Sequence, residues 1–457
     1  MSLQVHSNAV IDLAFSEDDH LLATASGDQT GKVIDVGSQT PVALLAHHTA
    51  SLKQVRFQPG RGSNSVLATS SRDGSVQIWD LRCHGGPVQE MAPLVRDSSL
   101  VYRAPQHVKS GCVVNSIYDA HGRAARQARV QTSASGDVAR LGEVPGRIGE
   151  VSVTALQFLP EGREHLLLSA CEADAVIRLW DVRSIHSGRH HKHSTPVSFT
   201  TPPDSHTSWR PFGISSMALS GDGARLYAAC KDNTVYAYST THLVLGHATE
   251  LAAAKPGEEP PRRKYHGAAH EGLGPLYGFR HPMFHATSFY VKAGIRKTRD
   301  GRSELLAVGS NDGCAVLFPT DERYLRAAWD AEAAQTSLPS GGAREAAPPA
   351  GPAQAPRRPG LQRANSITNL PGRLVDTIPI ARTGTPLVRG HSKEVGALAW
   401  TSDGKLVTAG DDYVVRCWGE DRDEAKELRT GGEGGGRRWA SGWADVEEGW
   451  QGDEDDW

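Results

Sequence analysis

An aspartate followed six residues later by a large apolar residue recurs six times: Asp28 to Ile34, Asp73 to Trp79, Asp174 to Trp180, Asp232 to Tyr238, Asp312 to Phe318 and Asp412 to Trp418. Before each aspartate runs a short strand pattern ending in small residues, such as LLATAS, VLATSS, LLLSAC and LVTAG. After it β-formers alternate, as Val76 and Ile78 do beside Ser75 and Gln77. That alternation is the period of a half-buried strand. A further apolar strand pattern lies upstream of each unit, at 9–15, 51–57, 152–158, 214–220, 289–295 and 394–400. Each unit thus reads strand, turn, strand, Asp turn, strand, polar exit. Small side chains let neighbouring sheets approach, and the large apolar residue fills the space between them. A turn aspartate can accept bonds from backbone N–H groups or from a buried His or Ser, and losing such a charged bond costs about 1.5–3 kcal/mol. His48 and His391, each just ahead of a strand, are the expected partners. Six units in one context predict an all-β chain folded as a β-propeller.

The turn aspartates are spaced 45, 101, 58, 80 and 100 residues apart, whereas a bare blade needs about 40–45. Four gaps therefore carry extra sequence. The expected division is a propeller over 1–430, with insertions at about 84–150, 242–282 and 330–382, and a Gly-rich, then acidic tail over 431–457. In the third insertion, Ala, Gly and Pro supply 22 of the 42 residues from Ala331 to Gly372, with no aromatic. Such a segment cannot offset its ordering entropy by burial and is expected to be disordered. The tail, also expected to lack a fold, holds Trp439, Trp443, Trp450 and Trp457. The plainer expectation is one tryptophan packed on the propeller edge; the sharper one is a short motif offering aromatic anchors to a partner.

Charge narrows the function classes. Lys+Arg 49 against Asp+Glu 52 leaves a net charge of -3 over 457 residues, which gives no global field for nucleic acid or an anionic membrane. The six cysteines form no C-x-x-C pair, so reduced intracellular thiols are expected. Neither a signal peptide nor a spanning apolar run is visible, and a soluble chain is expected. No G-x-S-x-G elbow, phosphate loop or H-E-x-x-H site is present, so no catalytic residue and no cofactor is assigned. The one dense histidine cluster, His186, His190, His191 and His193, has no carboxylate or cysteine to complete a ligand set, and no metal site is assigned.

Two blade exits stand out. Trp79-Asp80-Leu81-Arg82 and Trp180-Asp181-Val182-Arg183 both read W-D-x-R. After a buried Trp and a turn-forming Asp, the Arg should project from the rim of one face as a rigid donor fork for carboxylates or carbonyls of a partner. The alternative is an internal salt bridge to Asp80 or Asp181. Two such exits on successive blades favour an interface.

These exits resemble the box by which WD-repeat receptors dock onto the damaged-DNA-binding adaptor of cullin-4 RING ubiquitin ligases. More narrowly, the sequence is similar to the denticleless (DTL) family. Gly27-Asp28-Gln29-Thr30 with Asp35-Val36, Arg72-Asp73-Gly74 through Cys83, and Ser51-Leu52-Lys53-Gln54-Val55 carry the resemblance. So do Phe289-Tyr290-Val291-Lys292, His391-Ser392-Lys393-Glu394-Val395 and Gly442-Trp443-Ala444. The resemblance implies a nuclear substrate receptor that presents replication-linked, degron-bearing proteins on the sliding clamp for polyubiquitination, while transfer chemistry belongs to its partners. It implies adaptor contact by Arg82 and Arg183, supported by Asp73, Trp79, Asp80, Asp174, Trp180 and Asp181. It also implies a seven-bladed ring, of which six units are recognisable here, with Ile34 standing where Trp is usual. No clamp-binding Gln-x-x-aliphatic-x-x-aromatic-aromatic box is found in the C-terminal region. The rival reading is a WD-repeat scaffold outside ubiquitin ligases that binds chromatin or other nuclear peptides. Direct nucleic-acid binding has only the run Pro261-Arg262-Arg263-Lys264 to recommend it, and a solvated loop explains that run as well.

Overall fold

The computed structural model describes residues 5–60, 64–83, 89–91, 106–122, 151–184, 194–245, 270–298, 302–323, 325–326, 378–387, 390–421, 423, 439–440 and 443–445. Six sheets follow one another along the chain, each built on three consecutive antiparallel strands with further strands added outside. Their inner strands are Val10–Phe15, Leu52–Phe57, Val153–Phe158, Ile214–Leu219, Ala293–Arg296 and Val395–Trp400. Five of these six begin with a one-residue register shift, as between Leu52 and Gln54 or Val395 and Ala397. A bulge there increases twist where the inner strands converge. The expected all-β WD-repeat propeller of six blades is what the chain forms.

The core is a series of layers between successive sheets. Ala23 and Ala25 on the first sheet receive Leu67 and Trp79 of the second. In the same way Ala68 and Ile78 receive Leu167 and Trp180, and Ala307 and Ala315 receive Leu406 and Trp418. The six residues singled out by the repeat are all buried, from 0% exposed at Trp180 to 2% at Ile34. The small residues therefore let the sheets approach one another, and the large ones fix how closely.

Outer strands arise where only insertion was expected. Gln106–Ser110 lies parallel to Thr40–Leu45 on the first sheet, and Cys112–Ile117 closes the second sheet against Val76–Asp80. Both fall inside the 84–150 insertion, which is corrected to that extent. The 242–282 insertion likewise yields His270–Glu271 and Tyr277–Phe279, and the 330–382 insertion yields Ile380–Ala381. In the tail, Trp439–Ala440 and Trp443–Asp445 complete the sixth sheet, and Trp443 is buried. These five residues form strands within the tail, and Trp443 is packed; Trp450 and Trp457, which the plainer expectation left solvated, fall outside the described residues. The disorder expected over 331–372 falls outside the described residues.

One seam is left. The inner strands of sheets one to six pack each on the next, but no packing of that extent joins the sixth to the first among the described residues. Leu13 and Phe15 on the first sheet are 54% and 52% exposed, and Val415 on the sixth is 48% exposed. No seventh sheet is present among the described residues.

Candidate docking surface

Each Asp turn is wired into its own sheet. In the second, Asp73 accepts hydrogen bonds from Thr49 N at 2.9 Å, Ser75 N at 2.9 Å and Ser75 Oγ at 2.7 Å, and lies 3.1 Å from His48 Nδ1. His48 Nε2 meets Thr69 Oγ1 at 2.8 Å, and the Trp79 indole N–H donates to the same oxygen at 2.8 Å. A chain of four side chains thus runs from the turn to the buried indole. Burial alone would raise the Asp73 carboxyl, but the bonds and charge of His48, with those of Ser75 and Thr49, pull it well below the usual carboxylate range. The sixth sheet repeats the device with His391, Asp412, Thr408 and Trp418, so both expected histidine partners are in place. His6 with Asp28, His285 with Asp312, and His121 near Asp174 are three further pairs that the sequence reading missed.

The residue after the turn aspartate explains the hairpin. Gln29, Gly74, Asn233, Gly313 and Tyr413 all have φ between 62° and 78°, the left-handed region. Ala175, after Asp174, is absent from that set. The third turn is therefore built differently.

The W-D-x-R exits sit at the other end of the third strands, on the face opposite the Asp turns. Asp80 Oδ1 accepts from Arg82 N at 2.9 Å and Nε at 3.0 Å, and Oδ2 accepts from Nη2 at 2.8 Å. Asp181 holds Arg183 through the same three bonds, at 3.0, 3.0 and 2.8 Å. The bonds from each arginine, opposed by burial, hold its aspartate below the usual carboxylate range. So the internal salt bridge exists at both exits, yet the arginine side chains remain 68% and 66% exposed. The bridge fixes each guanidinium flat against its own turn, and no hydrogen bond engages either Nη1 among the described residues. A single strand links the two exits. Cys112 and Val113 pair with Asp80 and Trp79, and Asn115 Nδ2 donates to Val182 O at 2.9 Å and Ser184 O at 2.6 Å.

The eight candidate residues therefore divide. Arg82 and Arg183 are surface groups, and Asp80 and Asp181 orient them. Trp79 and Trp180 are buried beneath the exits. Asp73 and Asp174 lie at the far ends of the strands, away from the exits. The histidine cluster over 186–193 falls outside the described residues, as does the basic run near 262.

A family model described as WD domain, G-beta repeat, matches residues 1–35, 39–80, 193–239 and 384–419. Over 420 residues the chain is 27% identical to "Cell division cycle protein cdt2" of Schizosaccharomyces pombe, covering 90% of this chain and 58% of that protein. It is 35% identical over 240 residues to "Denticleless protein homolog" of Gallus gallus, covering 52% of this chain and 29% of that one. It is 25% identical over 429 residues to the Danio rerio homologue, covering 93% of this chain and 47% of the relative. The chain is thus similar to denticleless WD-repeat proteins over up to 93% of its length. It spans roughly a third to three-fifths of the length of these denticleless relatives. The repeat model passes over the first three strands of the third and fifth sheets, so one of the two W-D-x-R exits lies in a blade that the general repeat pattern does not register.

Proposed function

We propose that this chain is the substrate-recognition subunit of a cullin-4 RING ubiquitin ligase. It docks on the damaged-DNA-binding adaptor through Arg82 and Arg183, and it acts in the nucleus on replication-linked substrates carried on the sliding clamp. The observation that carries the reading is the pair of matching Asp–Arg forks on adjacent blades, on one face, tied by one strand. A preset guanidinium loses little freedom on meeting a carboxylate or carbonyl, so its contact energy is largely retained. The chain positions its substrate and leaves the transfer chemistry to its partners.

The test is the affinity of the purified adaptor for wild type and for Arg82→Ala/Arg183→Ala. Loss of one hot spot at about 2–3 kcal/mol weakens binding roughly 30- to 150-fold. The double variant should keep its circular dichroism and melting temperature, because both side chains are exposed. An unchanged dissociation constant would remove these arginines from the interface. If folded wild type recovers neither adaptor nor cullin from nuclear extract, the scaffold that binds chromatin or other nuclear peptides takes the place of the receptor.

A further inference from the structure

The third sheet departs from the first two, where the turn aspartate meets both a histidine and a hydroxyl. The hydroxyl two residues after the turn aspartate, Thr30 or Ser75 elsewhere, is replaced by Val176, and the Cys171 thiol lies 3.1 Å from Asp174 Oδ1 instead. His121 Nδ1 stands 3.5 Å from the same oxygen and makes no hydrogen bond; Asp174 Oδ2 makes none either. His121 is fully buried and Asp174 is 4% exposed. Arg178 Nη2 approaches Oδ2 only to 3.7 Å. Two unsatisfied polar atoms and a thiol thus converge in the interior, an arrangement that folding alone does not favour.

We propose that His121 Nδ1, Cys171 Sγ and the Asp174 carboxylate bind a divalent transition-metal ion, zinc foremost. The donors all lie within 4.8 Å of one another, and no other group of three such residues occurs among the described residues. Tetrahedral zinc, with bonds of about 2.0–2.3 Å, sets its ligand atoms about 3.3–3.8 Å apart. Two of the three separations are already close to that range. Nitrogen, thiolate and carboxylate form a borderline-soft set suited to zinc. One thiolate and one carboxylate neutralise a dipositive ion, so the interior gains no net charge from it. The thiol proton leaves to solvent on binding, and the neutral His121 ring binds through Nδ1 with its one proton on Nε2, facing Ser169 Oγ. Ser169 Oγ holds His121 Nε2 at 2.9 Å and accepts the Trp180 indole N–H at 2.8 Å, so the ring is braced from behind with Nδ1 turned to the cluster. The other buried thiols lie elsewhere: Cys230 faces Ala228 O and Cys314 faces Met283 O. His121 follows the outer strand of the second sheet, whereas Cys171 and Asp174 belong to the third. The ion would therefore clamp together the two blades that carry Arg82 and Arg183.

The experiment is metal analysis of the full chain purified without chelator, followed by metal removal and titration with Zn2+ and Co2+. Expected are one equivalent of metal per chain, a Zn2+-dependent rise in melting temperature and a thiolate-to-cobalt charge-transfer band. Cys171→Ser should lose the band and the thermal shift. Cys230→Ser should keep both, as should the variant with His186, His190, His191 and His193 replaced by Ala. A folded wild type that takes up no metal overturns the proposal. So does a cobalt spectrum without a thiolate band, which needs no variant to fold. Metal lost with the four histidines but kept in Cys171→Ser would overturn it as well.

Discussion

At the scale of single residues, aspartates in equivalent turns shift in opposite directions because their partners differ. Asp73 is held down by His48, Ser75 and Thr49, so its contribution to stability is present above the unfolded value of 3.8 and is lost as pH falls from there through the lower folded value. The fourth sheet has no histidine in that place. Burial raises the Asp232 carboxyl to about 6, against bonds from the Tyr236 hydroxyl at 2.7 Å and Thr234 N at 3.2 Å. The sign therefore reverses: the folded state binds the proton more tightly, so this group costs stability as pH rises from about 4 to 6. A shift of that size is worth at most about 3 kcal/mol. Asp232→Asn keeps the shape and removes the titration. In urea unfolding, the variant should gain on wild type between pH 4.5 and 7 by about 1–3 kcal/mol. A difference between them that does not vary with pH would show that Asp232 does not titrate in this window.

At the scale of elements, the three inner strands of each blade were legible because a period of two, small residues and an Asp turn repeat together. The outer strands were not. Ser198–Phe199, Thr385–Pro386 and Trp443–Asp445 are two or three residues long, too short to show a period, and partners from distant parts of the chain set their register. His121 was lost for the same reason. It lies 53 residues before Asp174, whereas His48 precedes Asp73 by 25 and His391 precedes Asp412 by 21. The exits were legible as a motif, but their salt bridges and the brace from Asn115 needed three dimensions. Trp443 shows that such a late strand bears weight. It is 5% exposed, its ring centroid is 5.9 Å from that of Trp400, and Arg296 lies 5.6 Å over it. Trp443→Ala should destabilise the chain by about 3–5 kcal/mol, read as a lower urea midpoint. A loss under 1 kcal/mol would mean that the sixth sheet does not depend on it.

At the scale of the whole molecule, what matters is how the first sheet is retained when one of its faces meets no neighbour of equal extent. Its apolar layer against the second sheet is one answer. The other lies on its inner strand, where the Asp12 carboxylate accepts from Val55 N at 3.1 Å and Arg56 Nη1 at 2.6 Å, with Lys292 Nζ, just ahead of the first strand of the fifth sheet, 3.9 Å away. Asp12 and Lys292 are only 10% and 15% exposed at their side chains. Burial draws the Lys292 ammonium below its ordinary range, and Asp12 opposes that shift. One carboxylate therefore joins three sheets and offsets two cations. Asp12→Asn keeps the size but leaves Arg56 and Lys292 without their counter-charge, a loss of about 3 kcal/mol for a largely buried pair. That loss should be local. Amide exchange in the first sheet should accelerate more than in the third and fourth, whose both faces are covered. Equal acceleration throughout would mean that the ring opens as one cooperative unit and that Asp12 stabilises the whole molecule rather than its first blade.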